Sequence, residues 1–329
     1  MINLLSAQFS RLFKSKLFYV MMILFALGSI GMVIMILSAY GSLAEIFKET
    51  SQQSDIDIDS LSNMYEIQMS VDVMCYFDFY AFIISSGVFI SLFIGREFDN
   101  NTIRNKVIIG TSRPLIYLSN LIVCSAAQII IHIVHCVIII IPLTFAYLSY
   151  KKISYLKVTM FDNNARDFFI IQIIGIGIIV LSCSIHLLFT MVAGSRTRGV
   201  IASMLAVGFM IVLSQRAEGT IYNPEPHEYI YAYSGDETSD TPTFEEYDPY
   251  NGYENHTAYW ESSRGRNVSK TSMMFYGTID NTFPTSQASY LMNSDSLPPR
   301  SAKYILSDLI LSAVLNAVGI IIFNRKELN

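Results

Sequence analysis

The chain has 329 residues, of which 52% are hydrophobic and only 15% charged, and its formal net charge is −5. Its mean hydropathy of +0.41 lies outside the usual range for soluble globular domains. Composition therefore excludes an ordinary soluble domain and predicts an all-α polytopic membrane protein.

The apolar residues form six blocks of about twenty residues, the length at which a helix rising 1.5 Å per residue crosses a hydrocarbon core of about 30 Å. The blocks cover 17–40, 74–95, 115–148, 168–192, 199–215 and 304–323. The fifth is short for a full crossing, so a tilted, broken or re-entrant element is left open there. Pro142 either kinks the third block or marks its outer end.

Basic residues set the predicted orientation, because short cytoplasmic loops carry an excess of Lys and Arg. With the N-terminus inside, the segments 1–16, 96–114, 193–198 and 324–329 hold eleven of the 22 basic residues in 47 positions, whereas the outer segments hold the other eleven in about 140 positions. The outer segment 151–167 holds four more and argues the other way. The first block follows three basic residues, as a secretory signal would, but it is too long for a signal core. We expect an uncleaved first span and cytoplasmic N- and C-termini.

Two outer segments divide the predicted transmembrane region. Residues 1–215 would hold spans one to five, with an outer loop at 41–73, and residues 304–329 would hold the sixth span and a cytoplasmic tail. Between them, 216–303 contain thirteen acidic residues, six basic residues and ten tyrosines. Because Gly and Pro punctuate this stretch and aromatic residues can form a small core, we expect an inserted extracytoplasmic domain of turns and short strands.

The sequence lacks the short motifs of the common enzyme classes. It has no G-x-x-x-x-G-K-[ST], H-E-x-x-H, G-x-S-x-G or C-x-x-C. All four cysteines fall inside apolar blocks, where small packing residues are the expected role. We therefore expect no catalytic residues, no metal site and no cofactor bound by this chain, and no nucleic-acid partner.

Three polar residues of the third block share one helix face, because Gln128, His132 and His135 follow i, i+4, i+7 spacing. They are either a candidate lining of a pathway or hydrogen-bonding contacts between helices. Asp78 and Asp308 lie about 6 Å inside the predicted outer ends of their spans, where interfacial solvation is expected. An intramembrane enzyme using Asp78, His132 or His135 is the weakest hypothesis.

The segment 96–114 is the largest predicted inner loop between spans. It can form an amphipathic helix on the membrane face, with Ile103, Val107 and Ile108 on one side and Arg104 and Lys106 elsewhere. Asp99, Asn100 or Asn101 would cap its start and Gly110 would end it. An ordinary basic loop explains the same residues equally well.

This segment resembles the permease subunits of type-2 ABC transporters. The resemblance consists of an acid after the second span, a Thr-hydrophobic-Arg step, and Ser-Arg before the third span: Glu97, Thr102, Ile103, Arg104, Ser112 and Arg113. It extends to the basic opening LLSAQFSRLFKSKLFYV and the closing IIIFNRKELN. The family usually has Gly where this chain has Asn101, and often a basic residue where this chain has Asn120.

The resemblance implies that Glu97, Thr102, Arg104 and Arg113 couple the chain to cytoplasmic ABC ATPase subunits, which bind the ATP. A second permease copy or a homologous permease would complete the pathway within the lipids of a bacterial plasma membrane. The expected function is export or clearance of an amphipathic substrate such as an antimicrobial peptide, lipid or drug. The alternative is a membrane-anchored peptide sensor or immunity protein that binds its ligand with the acidic outer segment.

Overall fold

The computed structural model describes residues 2–53, 68–70, 75, 79–150, 157–159, 165–221, 270–293 and 301–326. The helices are α1 (Ile2–Phe13), α2 (Lys16–Gln53), α3 (Phe79–Asp99), α4 (Thr102–Ile108), α5 (Arg113–Tyr150), α6 (Ala165–Ala193), α7 (Arg196–Ile221), α8 (Lys270–Thr282), α9 (Pro284–Asn293) and α10 (Ser301–Arg325). Two short strands, β1 (Gln68–Ser70) and β2 (Lys157–Thr159), complete the described elements.

Among the described residues, six helices are long and apolar enough to cross a membrane, which agrees with the six predicted apolar blocks. These stretches are Lys16–Ala39, Phe79–Asp99, Arg113–Ala146, Phe168–Ala193, Arg196–Ala217 and Ala302–Arg325. The fifth is a continuous helical stretch of 22 residues, so it is not broken and is long enough for a full crossing. It begins at Arg196, three residues before the apolar block, because charged residues extend a helix beyond the hydrocarbon core. Pro142 lies inside α5, which continues to Tyr150.

The connecting segments differ from the expected loops. The predicted loop 41–73 begins as a helix, because α2 continues to Gln53. Later in that segment, β1 pairs in parallel with β2, with Met69 opposite Val158. The described part of 216–303 is helical, where turns and short strands were expected. Residues 222–269 and 294–300 of the predicted inserted domain lie outside the described residues.

Helices α8 and α9 form a hairpin that packs against the bundle. Ile279, Ala288 and Leu291 are buried, and α8 contacts α7 and α10 while α9 contacts α6 and α7. The sequence of this hairpin is mostly polar and lacks a wide apolar face, which is why its helices were missed. Packing against neighbouring helices contributes most of a short helix's stability, so tertiary contact overrides weak local preference here.

Buried apolar side chains form two clusters at the two ends of the bundle. One contains Leu12, Phe89, Ile103 and Phe323, and the other contains Phe79, Ile139, Ile178 and Tyr304. Large apolar residues are also exposed along the spans, including Leu27, Phe145 and Leu205. In a membrane this surface faces lipid tails, and an apolar exterior is then expected.

Glycine permits close approach between two spans. A Cβ added to Gly95 on α3 would lie 2.5 Å from Cα of Arg196, so the start of α7 packs directly on this glycine. Gly28 on α2, by contrast, has no heavy atom within 4 Å of such a Cβ. Small residues at helix crossings are a common means of close packing in membranes.

We expect Gly95→Ala to destabilise the full-length protein by about 1–3 kcal/mol, because the methyl group would force two backbones apart. Gly28→Ala is the matched control and should change stability by at most about 0.5 kcal/mol. Thermal unfolding of both variants in the same detergent measures the difference. Equal effects of the two substitutions would contradict the close packing of α3 and α7.

Candidate functional site

A buried carboxylate lies at the end of α3, where the chain turns into the segment 96–114. Glu97 is only 2% exposed. Its Oε1 forms an ion pair with Arg11 of α1 and another with Lys106 of α4, whose Nζ lies 2.5 Å away. One carboxylate therefore connects the consecutive helices α3 and α4 to α1, which is distant in sequence.

Two amides complete this cluster and bring α5 into it. Gln8 Nε2 donates to Asn120 Oδ1 at 2.8 Å and to Glu97 Oε1 at 3.3 Å. Asn120 Nδ2 donates to Glu97 Oε2 at 3.4 Å. Gln8, Arg11, Glu97, Lys106 and Asn120 are called the Glu97 cluster below. Both carboxylate oxygens thus have partners, as a buried charge requires.

The electrostatics of the Glu97 cluster depend on a single negative charge. Burial, together with the positive charge of Arg11, lowers the pKa of Lys106 to about 7. Burial also lowers the pKa of Arg11 to about 10, and its guanidinium lies 4.0 Å from the ring centre of Phe93. Burial disfavours the charged forms of Arg11 and Lys106, whereas the neighbouring Glu97 carboxylate favours them.

The short helix α4 begins and ends on left-handed residues. Asn101, one of the three predicted candidates, occupies the cap position with φ 55° but makes no side-chain capping bond. Asparagine is one of the few residues other than glycine that tolerates this conformation. The left-handed backbone therefore explains why asparagine is suited to this position.

The end of α4 confirms the predicted stop at Gly110. Gly110 has φ 97°, and its N–H donates to Val107 O while the N–H of Thr111 donates to Lys106 O. This pair of bonds is the Schellman motif, in which a left-handed glycine satisfies the last carbonyls of a helix.

The two sides of α4 differ from the expected amphipathic pattern. Ile103 is buried, as predicted, but Lys106 also points inward to Glu97. Ile108 and Ile109 are 71% and 83% exposed, and Arg104 is exposed beside them. The outward surface of this segment is therefore mixed, with one cation and two adjacent apolar side chains.

The four residues predicted to couple the chain to an ATPase have different surroundings. Arg104 is exposed, Thr102 is half-buried and Glu97 is buried. Arg113 is half-buried, and its Nη1 donates to the carbonyls of Phe323, Asn324 and Lys326 at 2.9, 2.9 and 2.5 Å. Arg113 thus binds the C-terminal end of α10. A cation in this position stabilises a helix, because it interacts favourably with the last carbonyls.

Lys326 makes a matching contact with the end of α6. Its Nζ donates to Met191 O at 2.8 Å and to Val192 O at 2.9 Å. Burial lowers the pKa of Lys326, and the charge of Arg198 adds to the effect. The last helix is therefore held from both sides at the end of the bundle that contains the Glu97 cluster.

Sequence reasoning missed Gln8, Arg11 and Lys106 as members of a site. Gln8 and Asn120 each place an amide among mainly apolar neighbours, and such polar positions are the signal that could have found them. Periodicity could not pair them, because Gln8 and Asn120 are 112 residues apart in sequence.

The histidine stripe of α5 contacts three neighbouring helices. His132 Nε2 lies 2.8 Å from Gln172 Oε1 of α6, and His135 Nδ1 lies 2.7 Å from Ser29 Oγ of α2. The ring of His132 meets the edge of Phe82 on α3 at 5.2 Å between ring centres. Gln128 is fully buried. These contacts match the hydrogen-bonding alternative, while the pathway role stays a prediction.

The structure describes one of the two acidic residues that were predicted near the outer ends of spans. Asp78 lies outside the described residues. Asp308 is only 2% exposed, so the expectation of interfacial solvation is wrong, because the hairpin α8–α9 covers it.

Within the described ranges, no group of three or more His, Cys, Asp or Glu side chains could hold a metal ion.

The fold and these contacts define a multi-pass helical membrane protein. The chain matches no protein-family model, and comparisons with curated proteins and with solved structures return no significant match. The resemblance to type-2 ABC permeases therefore stays a prediction based on the residues that carry it.

We expect Glu97→Gln to lower the stability of the full-length protein by about 3 kcal/mol, because two buried cations would lose their anion. Thermal unfolding in detergent measures the loss. Adding Lys106→Met should recover part of it by removing one unpaired charge. The control is Asp99→Asn, since Asp99 forms a more exposed pair with Arg196 at 3.3 Å and should contribute about 0–1 kcal/mol. Equal losses in the two single variants would contradict a special role for the Glu97 cluster.

We expect Arg113→Gln to increase fraying of the last two turns of α10, because three carbonyls would lose their cationic donor. Hydrogen exchange of the backbone amides measures this, and a cost of about 1–2 kcal/mol is expected from the lost charged hydrogen bonds. Arg104→Gln, on the exposed side of α4, should leave α10 protected. Unchanged protection in Arg113→Gln would show that the contact is not stabilising.

Proposed function

We propose that this chain is the permease subunit of an ABC-type exporter that exports or clears an amphipathic substrate, such as an antimicrobial peptide, a lipid or a drug. Two permease chains form the pathway, and separate cytoplasmic ATPase subunits provide the energy. The membrane is a bacterial plasma membrane, and the segment 96–114 lies on its cytoplasmic side.

The observation that carries this proposal is the construction of α4. On its inner side, Ile103 is buried and Lys106 pairs with Glu97. On its outer side, Arg104, Ile108 and Ile109 are exposed between two spans. A short helix that is fixed from within and presents adjacent apolar residues beside a cation is suited to docking on another protein.

The charge at this end of the bundle supports the same orientation. Arg96, Arg104, Arg196, Arg198 and Arg325 are all exposed, and α1 and the end of α10 also lie at this end through their contacts with Glu97 and Arg113. Because basic residues collect on the cytoplasmic side, this end is assigned to the cytoplasm.

The predicted coupling residues receive separate roles in this proposal. Arg104 contacts the ATPase directly, together with Ile108 and Ile109. Glu97 is a positioning residue, since it is buried and acts by holding α4 through Lys106. Arg113 fixes the point at which the segment joins α5 and α10.

Affinity capture tests the proposal most directly. The tagged full-length chain, isolated from its native membranes, should bring down a polypeptide that 8-azido-ATP labels. Ile109→Ser should weaken this association about tenfold, equivalent to about 1.4 kcal/mol, because the side chain would occupy a pocket on the partner. Arg104→Ala and Glu97→Ala should also reduce capture.

The matched control is Ile2→Ser, since Ile2 is 82% exposed and Ile109 is 83% exposed. Both residues lie at the same end of the bundle, but only Ile109 belongs to the proposed docking surface. Capture of no nucleotide-labelled polypeptide, or equal losses in the two Ile variants, would overturn the proposal.

A further inference from the structure

The hairpin α8–α9 buries polar groups at the end of the bundle opposite α4. Thr285 forms a hydrogen bond with Ser214 of α7, and Gln287 reaches Asp308 of α10. Thr285, Ser286 and Gln287 are all at most 1% exposed. The hairpin therefore packs on the bundle through hydrogen-bonding groups as well as through apolar side chains.

Asp308 is the least compensated group in this region. Its Oδ1 accepts a hydrogen bond from Gln287 Nε2 at 2.9 Å, whereas its Oδ2 is buried without a hydrogen-bond donor. No Lys, Arg or His among the described residues forms an ion pair with it. Gly177 of α6 forms the opposite wall, since a Cβ there would lie 2.7 Å from Oδ2. An ionised carboxylate in such a place needs a positive partner.

Oxygen acceptors outnumber donors around this carboxylate. The single NH₂ group of Gln287 serves Asn281 O at 3.0 Å, Asp308 Oδ1 at 2.9 Å and Ser307 Oγ at 3.4 Å. The Ser307 hydroxyl is itself directed to Asn281 O at 2.9 Å. Among the side chains joined by these bonds, three buried oxygens have no hydrogen-bond donor: Asp308 Oδ2, Gln287 Oε1 and Asn281 Oδ1.

We propose that Asp308 and the oxygens of the hairpin α8–α9 bind a monovalent alkali cation. One carboxylate supplies one negative charge, which a single positive charge neutralises. Several oxygens here lack a hydrogen-bond donor, and hard cations bind oxygen ligands of this kind, both carboxylates and amide carbonyls. A proton on Asp308 would give only one or two of these oxygens a partner, whereas a cation can contact several of them at once.

The cation would lie between side chains or backbone of three different helices. Gln287 belongs to α9, Asp308 to α10 and Gly177 to α6, so an ion between them fixes the hairpin on the bundle. Binding to the folded state alone would stabilise that state in proportion to the logarithm of the cation concentration. This inference is independent of the proposed transport function.

Radioactive sodium binding tests the site in the purified full-length protein. At fixed pH and ionic strength, with choline as the replacing cation, ²²Na⁺ should bind saturably at about one ion per chain, as one carboxylate implies. Asp308→Asn should weaken binding at least about tenfold, equivalent to about 1.4 kcal/mol. Gln287→Met should also weaken it by removing one oxygen ligand and the donor to Asp308.

Ser312→Ala is the control, because Ser312 lies on the same helix and forms its hydrogen bonds with Ser184 and Asn316, whereas Asp308 bonds Gln287. It should keep full ²²Na⁺ binding. The absence of saturable ²²Na⁺ binding to the unsubstituted protein would overturn the proposal, and this measurement does not depend on any variant folding. Binding that persists unchanged in Asp308→Asn, or thermal stabilisation that follows pH alone and ignores Na⁺, would also overturn it.

Discussion

The structure depends on one constraint, the burial of the Glu97 carboxylate where α3 ends. A charge that is 2% exposed must have partners, and it finds them in Arg11, Lys106 and the amides of Gln8 and Asn120. These residues come from α1, α3, α4 and α5, so satisfying one side chain fixes the relative positions of four elements. The same contacts determine which side of α4 faces away from the bundle.

The remaining spans are held by a second set of polar contacts and by close packing. Ser91 bonds Thr190 and Ser203, which joins α3, α6 and α7, while Ser184 bonds Ser312 and joins α6 to α10. Lipid tails are as apolar as leucine, so apolar burial alone gives little preference for helix–helix contact. Short hydroxyl contacts and glycine crossings such as Gly95 supply that preference. The ends of α6 and α10 are then fixed by Lys326 and Arg113, which bind carbonyls that a helix cannot satisfy itself.

Local features of the candidate site were accessible from the sequence, and its assembly was not. Gly110 was expected to end the helix because glycine adopts the left-handed conformation at no steric cost, and it does so. Asn101, one of three candidate capping residues, occupies the cap position through a left-handed backbone and not through a side-chain hydrogen bond. Lys106 was expected on a different side of the helix from Ile103, because periodicity treats the segment as an isolated helix. The buried carboxylate of Glu97 reverses that preference, and amphipathic periodicity carries no information about such a partner.

The sequence by itself determined that the chain has six apolar helices and where nearly all of them lie, because a hydrocarbon core requires about twenty consecutive apolar residues. It also determined that basic residues are denser in the short segments predicted to lie inside than in the longer ones predicted to lie outside. Only the tertiary structure decided that the hairpin α8–α9 is helical, that Asp308 is buried beneath it, and that Glu97 joins four elements. Length and hydropathy act along the chain and can be read locally. The partners of a buried polar group lie up to a hundred residues or more away, and only packing brings them together.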